Sequence, residues 1–231
     1  MYRLITLIFI MLCFVSCGIE EYYYLPQIPQ SGETSIMNTE AEINIPKIDG
    51  NEYYYFSNYA IYYKIYLSNN SNIRVDTPNL FSSELRSDFN AIAPYADPSN
   101  MQASTAIDQL FNNRKYHELK FSGKDSAAML PSSGGRLTIR FPTGSGIGDV
   151  PVATMGSNIN IPLMRSITSQ NTDPYFVNSE DLRSQASADV VGTGNYAYVS
   201  MYIVAVGFNA SIFTNIFSKP THINIFKFPD Y

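Results

Sequence analysis

A mainly β chain, folded as an antiparallel β-sandwich with a two-helix insertion and long loops, is what these 231 residues predict. Three observations carry that reading. Residues 136–141 alternate between apolar and polar positions, the period of two that a half-buried strand requires, and residues 52–67 are the longest β-rich stretch of the first half. Residues 196–208, YAYVSMYIVAVGF, are apolar on both faces, as a central strand covered from two sides must be. The composition agrees, with 18 Tyr and 14 Phe beside no Trp, since aromatic side chains suit the pleated surface of a sheet.

The same composition excludes several classes. Charged residues make up 15%, against roughly 25% in ordinary soluble domains, and neutral polar groups, including 20 Asn, take their place. A net charge of −5 opposes nucleic-acid binding. Two Cys and two His cannot build a zinc finger or a disulfide framework. No metal site and no cofactor is expected.

The chain opens with Arg3 and then the apolar run from Leu4 to Val15, with Thr6 its only polar member. Twelve helical residues span about 18 Å, short of the ~30 Å hydrocarbon core. A basic start before a 7–15-residue apolar run is the layout of a secretory signal, so residues 1–16 read as a signal peptide. The segment Val15-Ser16-Cys17-Gly18 resembles a lipobox, the processing site of bacterial membrane lipoproteins. In that family the peptide is cut before the cysteine and a diacylglycerol joins its thiol. The resemblance implies cleavage between Ser16 and Cys17, lipidation (palmitate among the acyl chains) of Cys17, and a membrane-anchored cell-envelope protein. An outer-membrane or surface location is expected over the inner membrane. Phe14 departs from the commoner Leu of the motif. Loss of Arg3 with the leader moves the net charge from −5 to −6. The run CGIEEYYYLP from Cys17 resembles the start of spirochaetal lipoproteins.

Residues 17–40 then read as a tether, because Pro26, Pro29 and Gly32 interrupt every regular pattern. Tyr22, Tyr23 and Tyr24 suit either an edge strand or the membrane interface. A single domain is expected over 41–231. Its first strand signal is Ile43 and Ile45 before Pro46. In the next, Ile61, Tyr63, Ile65 and Leu67 share one side, and Tyr62, Lys64 and Tyr66 the other.

Helical spacing follows over about 78–113. Thr77-Pro78 and Asp97-Pro98 are start signals, each a cap residue before a first-turn proline. Leu85, Phe89 and Ile92 recur at one face, then Ile107, Leu110 and Phe111. Strands resume with Leu137, Ile139 and Phe141 inward, a weaker candidate over 158–163, and the closing run from Thr221 to Phe228 with Ile223, Ile225, Phe226 and Phe228.

Tyr59 to Tyr66 resembles the third strand of fibronectin type III domains, and Tyr202–Val206 with Ser218-Lys219-Pro220 resembles that family's final hairpin. The resemblance implies a fibronectin type III-like, immunoglobulin-like sandwich in which residues 68–134 and 143–195 are insertions.

Catalytic patterns are sparse. Gly144 to Asp149 is glycine-rich, but Val150-Pro151-Val152 opposes the helix a phosphate-binding loop needs, so a surface loop is expected. His117 sits among charges and is expected to be solvated; His222 begins the last strand. Glu180, Asp181 and Asp173 could serve a carboxylate-based glycosidase, or with Asn178 bind calcium, yet adjacent acids are commonplace here. Tyr62 and Tyr66 would form an exposed contact surface unless the inserted helices cover that face. Residues 209–219 form a hairpin loop in which Ile212, Phe213, Ile216 and Phe217 must fold back or meet a partner.

The leading expectation is therefore a non-catalytic binding or structural module, held at the membrane through N-terminal acyl chains and meeting a protein or glycan partner. A carbohydrate-active envelope enzyme with a carboxylate site is the first alternative. A carrier of an apolar cargo is the second.

Overall fold

Strand β2 (Phe56–Ser68) and strand β9 (Tyr196–Asn209) form the centre of the molecule, antiparallel along almost their full length. The computed structural model describes residues 25–30, 39–50, 55–71, 83–96, 105–142, 150–166, 176, 188–210 and 213–228. On the free edge of β9 lie β10 (Thr214–Phe217) and β11 (Thr221–Lys227), end to end and antiparallel to it. The free edge of β2 carries β3 (His117–Glu118) and β8 (Val190–Gly192), the latter in parallel register with Ile65–Leu67.

The second sheet has the order β1–β5–β6–β7–β4. Its strands are β1 (Glu40–Ile45), β4 (Lys120–Phe121), β5 (Gly135–Arg140), β6 (Val152–Met155) and β7 (Asn158–Met164). Together the two sheets make a mainly β, antiparallel sandwich. The neighbours β2, β9 and β11 are the strands that the fibronectin type III resemblance singles out. Residues read as insertions, by contrast, supply most of the opposite sheet, since β4, β6 and β7 all fall within them.

Period-two patterning explains which side each strand buries. Tyr59, Ile61, Tyr63, Ile65 and Leu67 of β2 meet Val199, Met201, Ile203 and Ala205 of β9, and then Ile43, Leu137, Ile139 and Leu163 of the second sheet. At one end Phe141 stacks on Phe226 with centroids 4.3 Å apart and meets Phe228 edge-on at 5.3 Å. A fully buried ring of this kind is worth about 1.5–3 kcal/mol relative to exposure. One extra residue sits in β11 between His222 and Asn224. That bulge shifts the parity, so Ile223 and Phe226 face one core while Ile225 faces the other side.

Most even positions of β2 and β9 between their ends are buried as well, beneath α1 (Ser83–Ala96) and α2 (Thr105–Asn113). Ile92, Ile107, Leu110 and Phe111 of these helices pack on Ala60, Tyr202 and Val204. The expected helical pair is thus present, although both of its start signals lie outside the described residues. A third, four-residue helix, α3 (Ser126–Met129), is capped by the Asp125 carboxylate, which accepts from Ala128 N at 2.6 Å. After it, Pro131 to Gly134 makes a tight turn. Gly134 has φ +69, and a Cβ there would stand 2.6 Å from the Ile45 carbonyl, so only glycine fits.

Two expectations need correction. Residues 25–30 are part of the fold, not slack tether. Leu25 and Ile28 are 1% and 0% exposed within the main core, and the Ile28 carbonyl accepts from the Thr221 hydroxyl at 2.5 Å. Prolines at 26 and 29 break hydrogen-bonding periodicity while leaving the side chains of Leu25 and Ile28, each just before a proline, free to bury. The expected loop at 209–219 is in part strand, because Thr214–Phe217 pairs with Val206–Asn209. Among the described residues no helix is long and apolar enough to cross a membrane, which says nothing of a β-barrel.

Candidate functional site

The helix-covered face of β2 holds a concentrated polar cluster. Lys64 lies between apolar neighbours in β2 and is almost fully buried. Its Nζ donates to Asp88 Oδ2 at 2.5 Å and to the Arg114 carbonyl at 2.7 Å. Asp88 comes from α1, on the same face as Leu85 and Ile92, so the helical stripe that covers the sheet also delivers the carboxylate. Tyr66 OH donates to the same Oδ2 at 2.6 Å and lies 2.9 Å from Tyr116 OH. Arg114, at the end of α2, reaches Asp88 Oδ1 at 3.4 Å and Ser87 Oγ at 3.1 Å.

The ammonium also stands over the Tyr66 and Tyr116 rings, 5.2 and 5.7 Å from their centroids. Aromatic faces stabilise a desolvated cation, which reduces the cost of burying it. Burial first, and then the neighbouring Tyr116 and Asp88, push the Tyr66 phenol well above its ordinary range. Tyr116 is raised chiefly by burial and also hydrogen-bonds Ser200. The Ser200 hydroxyl is 3.2 Å from His222 Nε2. A polar chain therefore runs from Lys64 through Asp88, Tyr66, Tyr116 and Ser200 to His222. Burial lowers the His222 pKa to about 3, so the ring is neutral, packed edge-on to Phe89 and Tyr202.

This cluster floors a cleft of about 400 Å³ lined by Lys64, Glu84, Asp88, Asn113, Arg114 and Lys115, among others. Every ionised group at its floor is already bonded to another. The arrangement can hold two helices at a set height on the sheet. The Ser200–His222 pair at the end of the polar chain is buried, out of reach of a substrate.

A second cluster faces the opposite layer. Tyr63 OH donates to Asp189 Oδ2 at 2.7 Å and accepts from Ser166 N at 3.2 Å. Arg165 engages both Asp189 oxygens, through Nε at 2.7 Å and through Nη2, a fork-on-carboxylate pairing. Burial disfavours the guanidinium charge, yet the Asp189 hydrogen bonds and charge outweigh it and its pKa is raised. The Tyr63 phenol is driven far up, first by burial and then by Asp189.

The residues singled out by sequence fare unequally. Tyr66 is fully buried, so it is not an exposed contact. Tyr62 stacks on Phe111 of α2 at 4.5 Å and 8°, covered by the inserted helices. Ile216 and Phe217 fold back into the main and the helix-side cores. Among the described members of that group Phe213 alone is out in solvent, 83% exposed, with Phe208 42% exposed beside it at 6.4 Å. Phe213 has φ +50, a left-handed conformation that costs a non-glycine residue about 1–2 kcal/mol. His117 is half-buried in β3 rather than solvated, and its Nε2 has no partner among the described residues. Ser16, Cys17, Ile212, residues 144–149 and Asp173, Asn178, Glu180 and Asp181 lie outside the described residues.

Lys64, Asp88, Arg165 and Asp189 were not singled out by sequence. The signal existed: a lone lysine inside YYKIY and an aspartate on an apolar helical stripe both demand buried partners. Among the described residues no three His, Cys, Asp or Glu side chains are grouped as a metal would need. No protein-family model, no curated protein and no solved structure matches this chain.

Proposed function

We propose that the chain is a lipid-anchored bacterial cell-envelope protein whose sandwich serves as a non-catalytic binding or structural module. The observation that carries the anchor is the order of Arg3, the apolar run Leu4–Val15 and the single thiol of Cys17 directly after Ser16. Two or more acyl chains, at about 0.8 kcal/mol per buried CH₂, hold a protein firmly at a bilayer. Cleavage before Cys17 leaves the mature domain with no other thiol.

The non-catalytic reading is supported by the two buried ion clusters. Asp88 and Asp189 each spend their lone pairs on a cation and a tyrosine within the fold. Groups so committed stabilise packing and have little capacity left for a substrate. A protruding aromatic pair, Phe208 and Phe213, offers the contact surface instead.

Replacement of Cys17→Ser tests the anchor. The variant is expected to lose palmitate labelling and to leave the membrane fraction; continued labelling refutes the proposal. Protease treatment of intact cells then places the domain, since cleavage without lysis is expected of a surface-facing protein.

A further inference from the structure

We propose that the β9–β10 hairpin tip, carrying Phe208 and Phe213, is a second membrane contact that dips into the lipid interface and sets the orientation of the anchored domain. The inference rests on the lipid anchor proposed above and extends it to a surface of the folded domain.

The tip is built to project. Phe213 is 83% exposed and its backbone has φ +50, a conformation disfavoured for a bulky residue. Strain of this kind persists where the surroundings impose it, and here it holds a large apolar ring out in solvent. Phe208 stands edge-on beside it at 6.4 Å and is half-exposed. The hairpin below is fixed: Ile216 and Phe217 are buried, and Gly207 lies close enough to Tyr55 that a Cβ would stand 2.7 Å from its carbonyl.

The first described segment of the chain points toward the same end of the sandwich. Gln27 Nε2 donates to the Pro220 carbonyl at 3.4 Å, and the Ile28 carbonyl accepts from Thr221. Residues 27–28 therefore run beside 220–221 in the same sense. Followed backwards from Ile28, the chain heads toward Ser218 and the end of the sandwich where β10 turns. From Ser218 to Phe213 is five residue steps along β10 (Thr214–Phe217), roughly 17 Å. Cys17 precedes Leu25 by eight residues, a reach of up to roughly 28 Å. The acyl chains can therefore lie in the plane of the tip.

Area favours lipid as the occupant. Two Phe rings offer at most roughly 500 Å², short of the ~800 Å² per partner of a stable protein interface. That area is enough for an auxiliary contact when the acyl chains supply the affinity.

The absence of Trp from the sequence makes the test clean. Phe213→Trp and, separately, Asn69→Trp are placed in the full chain purified with its native processing and reconstituted into phosphatidylglycerol-containing vesicles. Asn69 is exposed at the far end of β2, roughly 40 Å along the strand. The indole at 213 is expected to shift its emission to shorter wavelength and to be quenched by lipids brominated on the acyl chain. The indole at 69 is expected to do neither. Unshifted, unquenched emission at 213 overturns the inference and leaves the tip to a protein partner. Equal quenching at both positions overturns it too, because the domain then lies on the bilayer without a preferred end. Mass measurement of the N-terminal peptide reports acylation independently. An unacylated Cys17 refutes the anchor, whereas an acylated chain with an unquenched tip refutes only the second contact.

Discussion

Tyr63 and Lys64 are adjacent in β2 yet serve two different polar clusters, one in each layer. Tyr63 points between the sheets, where Asp189 and Arg165 are sealed at 0% and 4% side-chain exposure. Lys64 points under the helices, where Asp88 is equally buried but its second cation, Arg114, is 37% exposed at the rim of a cleft. The same device, a carboxylate shared by a cation and a phenol, is closed on one face and open on the other. A closed cluster can only hold the sheets together. The open one ties the helical layer to the sheet while keeping water at its edge, which reduces what each bond is worth.

The sharpest way to break the comparison is Asp189→Ala. It removes the carboxylate that balances the buried Arg165 charge, and about 3–5 kcal/mol of unfolding free energy is expected to be lost. Asp88→Ala should cost less, about 2 kcal/mol, because the cleft can hydrate Lys64 once the carboxylate is gone. Urea titrations of the two variants check the order; an equal loss would mean that the cleft does not soften its cluster.

A pH effect comes next. The folded pKa of His222 is lowered to about 3 from 6.5, so the unfolded chain binds a proton more readily than the native one between those values. Stability contributed by neutral His222 is fully present above pH 6.5 and is lost as pH falls toward 3. His222→Asn should flatten that part of the stability–pH curve, as thermal melts across the window would show. If the slope survives, the acid sensitivity resides elsewhere.

Phenol deletions follow. Tyr63→Phe and Tyr66→Phe should each cost about 1 kcal/mol in the same titrations, since each hydroxyl serves two partners. Smallest is Arg114→Ala, at about 0–1 kcal/mol and vanishing at high salt, as befits a rim charge.

Much of the frame was readable from residues alone. Alternation gave the faces of β2 and β5, because burial on one side of a pleated strand permits only one parity, and a run apolar on both sides marked β9 as central. The helical pair was readable from the spacing of Leu85, Phe89 and Ile92 and of Ile107, Leu110 and Phe111. Strands β3, β4 and β8, of two or three residues, carry no pattern of their own and exist because a neighbour offers its edge. Residues 25–30 looked like linker for a similar reason: Leu25 and Ile28 gain their burial from residues roughly two hundred positions away. Tyr66 and Phe213 show the same limit at side-chain level. Both are aromatic in aromatic company, but one is sealed under α1 and the other stands in solvent.

By itself the sequence determined the sandwich's central strands, their buried faces and the helical stripe that would cover one of them. Those features depend on periodicity, which is local and set by the backbone's own repeat. It also carries, in the residues before Gly18, the pattern behind the proposed anchor. Only the tertiary structure decided that Lys64 meets Asp88, that Arg165 meets Asp189, and that residues 25–30 close the core. Pairings between distant segments depend on which surfaces the packed layers bring together, and no local repeat encodes that.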